Sequence, residues 1–213
     1  MNKKDALIIK SRLIENYKDA KSELKFNSLY ELIVCVILSA QCTDKRVNLI
    51  TPGLFKNYPD IISLSNANLN SLKLLINSCS YFNNKASNLI KMAKNVVSNF
   101  GGEIPLNEKD LMSLEGVGQK TAHVVLLEWK NENFMAVDTH VFRVAHRLNI
   151  SKAKTPKQTE ADLTNTFKTD LGKLHQAIVL FGRYVCKAIK PNCKECILND
   201  ICKSKDKNLK EIK

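Results

Sequence analysis

Four of the seven cysteines fall within seventeen residues near the C-terminus, Cys186, Cys193, Cys196 and Cys202, in the spacing C-x6-C-x2-C-x5-C. The other three, Cys35, Cys42 and Cys79, lie far upstream and apart. A disulfide framework would have to use the C-terminal set alone, in a chain without a secretory h-region, because Asp5, Lys10 and Arg12 interrupt the apolar residues of the first fourteen. The pattern therefore points to metal or iron–sulfur ligation in a reducing cytosol. Four thiolates suit either a tetrahedral zinc or a [4Fe-4S] cube, and spacing alone does not separate them.

Charge narrows the partner. The formal net charge is +12, from 33 basic and 21 acidic residues. This favours an anionic polymer through long-range attraction and counterion release, nucleic acid foremost, although a lysine-rich surface serving solubility gives the same total. The stretch from Lys187 to Lys213 holds eight lysines against four acids, so the cysteines sit in a net-positive segment. The longest apolar run, Leu32 to Leu38, is seven residues, far short of the roughly 20 that span a bilayer, and no membrane partner is expected.

Apolar residues recur at helical spacing, and the chain contains only seven glycines and five prolines. The reading is all-α, with about ten short helices. Leu7, Ile8, Leu13 and Ile14 mark a first amphipathic helix and Tyr30–Ala40 a central buried one, with Asp44 capping a third. Further periodic stretches run over Lys85–Phe100, Ala122–Trp129, Val141–Leu148, Glu160–Phe167 and Leu171–Cys186. Loops are expected at Gly101-Gly102 and Asn131–Asn133, and fraying in the polar tail after Lys203.

Two segments carry candidate chemistry. In Leu114-Glu115-Gly116-Val117-Gly118-Gln119-Lys120-Thr121-Ala122, two glycines flank a valine at the mouth of a helix. Glycine permits positive φ and close approach, and the helix N-terminus offers N–H groups to a phosphate. The second segment is Ala136-Val137-Asp138-Thr139-His140-Val141-Phe142-Arg143-Val144. Without further context Lys120 reads as a phosphate-binding surface lysine, and Asp138 as the N-cap of a helix over Thr139–Leu148.

Together with Leu38-Ser39-Ala40-Gln41-x-Thr43-Asp44, Asn83-x-Lys85-Ala86 and His175-x6-Gly182-Arg183-x2-Cys186, these segments and the cysteine spacing resemble the endonuclease III family of helix-hairpin-helix DNA glycosylases, in order along nearly the whole chain. The resemblance implies a bilobed all-α fold. A helical-barrel lobe would span residues 22–132, with its helix-hairpin-helix at about 107–131, and a [4Fe-4S] lobe would combine 1–21 with 133–213. It also implies a monomeric, bacterial-type, nucleoid-associated enzyme of base excision repair, acting on oxidised pyrimidines or abasic sites in double-stranded DNA.

By the same resemblance Lys120 is the nucleophile and Asp138 its carboxylate partner. An amine attacking C1′ displaces the base and leaves an imine, which acidifies the neighbouring proton for β-elimination of the 3′ phosphate. A hydroxyl nucleophile cannot form that imine. Lys120 is expected to be partly desolvated in the first turn of its helix, and Asp138 to stabilise positive charge developing on the sugar. The resemblance makes Cys186, Cys193, Cys196 and Cys202 the cluster ligands. Gln41 would fill the space of the flipped base and Tyr81 would wedge between bases. Lys85, Gly116, Val117, Gly118, His140, Arg143, Lys187 and Lys190 complete the expected DNA contacts, and Arg147 shares a helix face with Arg143.

Glu115, Gln119 and His123 stand where the family more often has proline, arginine and asparagine, which lowers the positive charge of the hairpin. Two competitors remain: a monofunctional mismatch-type glycosylase, which lacks a lysine at the position of Lys120, and a noncatalytic DNA-binding module with structural zinc.

Overall fold

A computed structural model describes residues 2–209. These residues form eleven helices and no strand: α1 (Lys3–Asn16), α2 (Leu29–Ser39), α3 (Asp44–Asn57), α4 (Ile61–Ser65), α5 (Leu69–Ile76), α6 (Phe82–Phe100), α7 (Glu108–Met112), α8 (Gln119–Lys130), α9 (Thr139–Arg147), α10 (Pro156–Phe167) and α11 (Leu171–Tyr184). Contacts divide the chain into two units, Ser22–Lys130 on one side and, on the other, the residues before Ser22 with Asn131 onward. None of the described helices is long and apolar enough to cross a membrane.

In the Ser22–Lys130 unit, α2 is the axis of the core. Its run Leu32–Leu38 is buried throughout. At about 1.5–3 kcal/mol for each large apolar side chain, seven such residues contribute gross stabilisation on the order of 10 kcal/mol. Ser28 caps the start of α2, its hydroxyl accepting from the Glu31 N–H at 3.1 Å. The other end has no basic residue of its own in the last turn. There the Lys85 ammonium, brought in by α6, donates to the carbonyls of Leu38 and Ala40, both at 2.7 Å.

The apolar stripe of α6 runs Lys85, Leu89, Met92 and Val96, so Lys85 occupies the inward face. The helix begins at Phe82, three residues before the expected start, and ends at Gly101, whose φ of +64° lets the Gly102 N–H reach back to the Val96 carbonyl. Asp44 is not a cap. The Thr43 hydroxyl accepts from the Arg46 N–H at 3.2 Å, and Asp44 is the first residue inside α3.

The second unit packs α1, α9, α10 and α11 around Leu13, Val144, Leu163, Leu174, Ile178 and Phe181. Gly182 is required where α11 crosses α9, because a Cβ there would lie 3.0 Å from the His140 Cβ and 3.3 Å from a Val144 methyl. Helix α11 stops at Tyr184 rather than Cys186: the N–H groups of Val185 and Cys186 both turn onto the Phe181 carbonyl. From there to Leu209 the backbone is turns and irregular loops.

The described part of the polar tail is held by two contacts. The Lys207 ammonium donates to the Asn199 carbonyl at 2.6 Å and the Asn208 N–H to the Cys193 sulfur at 3.3 Å. The end of the tail, residues 210–213, lies outside the described residues.

Candidate nucleic-acid and cluster sites

The hairpin is α7, a turn and α8. Gly116 takes φ of +81° in that turn, and a side chain there would press on Asn88 of α6 at 3.1 Å. Gly118 has no positive φ and open space where a Cβ would stand, so only Gly116 is demanded by the turn itself. Val117 is buried and anchors the loop, while Gly116 and Gly118 are exposed on either side. The Gly118 carbonyl accepts from the Ala122 N–H, which starts α8 and leaves the preceding N–H groups facing outward at the positive end of a twelve-residue helix. Lys120 stands in that first turn and is exposed, where partial burial was expected. It precedes by two residues the buried run Ala122–Leu127 of the same helix.

Two of the three departures in the hairpin have structural neighbours. Asn95 of α6 donates to the Glu115 carboxylate at 3.3 Å. His123 is buried on α8 with Nε2 3.0 Å from the Glu108 carboxylate of α7, where the two helices of the hairpin meet.

Two further turns of the same unit adjoin one another. Gln41, after α2, and Tyr81, before α6, are exposed residues with φ of 53° and 57°. Non-glycine residues persist in that left-handed region only where their surroundings hold them. Here Cys42 and Cys79 meet across the two turns at 3.2 Å between sulfurs, and Lys85 binds the backbone on the α2 side. Tyr81 is 64% exposed and makes no side-chain cap to α6. The expectation that Lys85 meets DNA is corrected by the same geometry. Only 6% exposed and spent on two carbonyls, it shapes the Gln41 turn from within.

In the other unit Asp138 is the N-cap of α9, one carboxylate oxygen accepting from the Val141 N–H at 2.8 Å. A cap of this kind uses one of two carboxylate oxygens. His140 lies one turn on. Its Nδ1 faces the Arg143 Nη2 at 3.2 Å, and because a guanidinium only donates, Nδ1 accepts. Arg143 also donates to the carbonyls of Cys186 (3.0 Å) and Gly182 (2.7 Å). It is thus a brace between α9, α11 and the cysteine segment, not the free phosphate-facing arginine expected. Arg147 does the same one turn further, donating to the carbonyls of Lys187 (2.6 Å) and Ala188 (3.0 Å) and approaching the Cys186 sulfur at 3.5 Å. Sequence reasoning read this pair by its spacing alone and missed its inward direction.

That bracing leaves Lys187 and Lys190 exposed on the loop between Cys186 and Cys193, with Lys190 at φ of 48° and Pro191 buried beneath. Cys186, Cys193, Cys196 and Cys202 all line one pocket beside Phe181, Val185 and Leu148. Among the described residues no three metal-binding side chains converge tightly enough to share a single ion. N–H groups point at three of the four sulfurs: Arg147 to Cys186 (3.5 Å), Asn208 to Cys193 (3.3 Å) and Leu198 to Cys196 (3.4 Å). Burial pushes the Cys186 thiol up, and the Arg147 hydrogen bond and charge oppose that rise.

A family profile described as HhH-GPD superfamily base excision DNA repair protein matches residues 34–169. The chain is 41% identical to endonuclease III of Haemophilus influenzae over 97% of its own length and 99% of that protein's, and 38% identical to the Escherichia coli K12 enzyme over 97% and 99%. This chain belongs to the endonuclease III family. Among solved structures, a trapped endonuclease III–DNA covalent intermediate superposes with a TM-score of 0.92 at 34% identity, covering 95% of this chain and 96% of that one. A thermostable thymine-DNA glycosylase shares the fold with a TM-score of 0.83 at 20% identity. The all-α endonuclease III fold expected from the motifs is therefore the fold observed.

Proposed function

We propose that this member of the endonuclease III family is a bifunctional DNA glycosylase and abasic-site lyase of base excision repair, removing oxidised pyrimidines from duplex DNA. The observation that carries the reading is identity of about 40% to endonuclease III across nearly the full length, with a lysine at 120 in the first turn of the hairpin's second helix. Fold alone would not decide it, since mono- and bifunctional chemistries occupy the same scaffold.

The residues are assigned by role. Lys120 attacks C1′ of the damaged nucleotide as a neutral amine, the base departs, and the resulting imine allows β-elimination of the 3′ phosphate. Asp138 stabilises positive charge on the sugar and assists proton transfer, with its side chain already fixed by the cap to Val141. Gly116, Val117 and Gly118 present the α8 N-terminus to a backbone phosphate, and Lys187 and Lys190 meet another stretch of backbone. Gln41 and Tyr81 act at the gap the flipped base leaves. His140 supports α9 through Arg143.

Membership of the endonuclease III family supports assigning the four C-terminal cysteines to a [4Fe-4S] cube rather than one zinc. A single zinc draws four sulfurs to about 2.3 Å of one point, whereas a cube takes one thiolate per iron around a larger volume. The four cysteines line one pocket and three of their sulfurs receive N–H donors, which supports thiolate ligation of one shared group. When bound, the cluster supplies a fixed anchor for the loop that carries Lys187 and Lys190.

Incubation with a duplex containing thymine glycol tests the reading. The expected product is a strand cut 3′ to the lesion and ending in an unsaturated aldehyde. Base loss that leaves an uncut abasic strand would favour the monofunctional alternative, and no base loss a binding module.

A further inference from the structure

Two of the three upstream cysteines meet in the fold. Cys42 follows Gln41 in the turn after α2, and Cys79 precedes Tyr81 by two residues in the turn before α6. Their sulfurs are 3.2 Å apart and both thiols are free. Cys42 is half-buried and reachable from solvent, whereas Cys79 is 3% exposed. Burial and the hydrogen bond to Cys42 push the Cys79 thiol up to about 12, against which the charge of Lys85 acts. The Cys79 sulfur and the Lys85 ammonium share one acceptor, the Leu38 carbonyl, at 3.6 and 2.7 Å. The pair thus has a member reachable from solvent and a buried partner already in contact, so that a sulfenic acid formed on the first has a resolving thiol beside it.

We propose that Cys42 and Cys79 are a peroxide-responsive pair whose disulfide clamps together the turns carrying Gln41 and Tyr81. The Cys42 thiolate attacks one peroxide oxygen, the O–O bond breaks, and Cys42 becomes a sulfenic acid as the released hydroxide takes up a proton to form water. The Cys79 sulfur then attacks the Cys42 sulfur. The S–S bond forms, the S–O bond breaks, and hydroxide leaves with the Cys79 proton as a second water. Two thiols and one hydrogen peroxide give one disulfide and two waters. Closing 3.2 Å to the roughly 2.05 Å of a disulfide moves the two sulfurs together by about 1 Å and joins the turns covalently. Gln41 and Tyr81 already sit at positive φ, so a shift of the turn backbone moves both side chains. The effect on excision rests on the proposed function, in which these two residues act at the displaced base.

The test uses the full chain with its cluster loaded, treated with hydrogen peroxide, alkylated and peptide-mapped. The expected result is a Cys42–Cys79 cross-linked peptide lighter by two hydrogens, with at least a tenfold loss of thymine glycol excision that dithiothreitol restores. Cys42→Ser gives neither the cross-link nor the thiol-reversible loss, and because it keeps the C-terminal cysteines it separates the pair from cluster damage. In Cys79→Ser a cyclic dione probe labels the sulfenic acid stranded on Cys42. Alkylation of both cysteines as in untreated protein, or a bridge to a C-terminal cysteine instead, overturns the pair. A Cys42–Cys79 bridge with unchanged excision overturns the clamp. A reduced protein without excision activity sinks the proposed function, and the cross-link is still read by mass.

Discussion

The Lys85 ammonium donates to the Leu38 carbonyl at 2.7 Å from a side chain buried between α6 and the end of α2. A charge in that position compensates the exposed carbonyls of a helix C-terminus. Lys85→Met should cost about 1–3 kcal/mol by leaving those carbonyls unsatisfied. Because Lys85 touches no phosphate, the slope of log affinity against log salt should stay unchanged, whereas loss of a phosphate contact would lower it by about 1. Urea unfolding and a salt titration on the same variant check both.

Asp138 separates capping from chemistry. Asparagine caps helices as well as aspartate, so Asp138→Asn should shift stability by only a few tenths of a kcal/mol while lowering excision on the order of 100-fold. Asp138→Ala should lose the same activity and about 1 kcal/mol of stability besides. Single-turnover excision beside thermal unfolding distinguishes the two losses, and a fully active Asp138→Asn would reduce the residue to a cap.

Arg147 holds the loop of Lys187 and Lys190 through the carbonyls of Lys187 and Ala188. Lysine cannot reproduce that fork of donors. Both Arg147→Ala and Arg147→Lys should loosen the loop, accelerating trypsin cleavage after Lys187 and Lys190 and weakening affinity for duplex DNA about tenfold. Limited proteolysis followed by mass spectrometry reads the loop directly.

Glu128, half-buried on α8, has its carboxyl pushed up to about 7 by desolvation. Between about 4.5 and 7 the folded chain keeps a proton that the unfolded chain gives up, so this group's contribution to stability falls as pH rises through that window. Glu128→Gln should remove the fall and gain on the order of 2–3 kcal/mol at pH 8, with little difference at pH 4. Denaturant midpoints of both proteins across that range give the sign.

Strong local signals made part of this architecture readable. The Leu32–Leu38 run defined α2, and Asp138 before Val141 announced the start of α9. The five-residue helices α4 and α7 span too little chain for a period of about 3.6 to register. Their caps, Asp60 and Asn107, were the available signals, as was Thr155-Pro156 for α10. The motif around Lys85 gave its place but not its direction, although the stripe Lys85, Leu89, Met92 and Val96 contained the answer. Nothing in the sequence joins Cys42 to Cys79 across 37 residues, or turns Arg143 and Arg147 onto carbonyls of the cysteine segment. Such contacts belong to tertiary packing.

Borohydride trapping on duplexes containing thymine glycol or an abasic site, with Lys120→Gln alongside, reaches the central claim most directly. The account predicts a covalent protein–DNA adduct on both duplexes with the native chain and none with Lys120→Gln. An adduct that persists in Lys120→Gln, or none from folded native protein on either duplex, would contradict it.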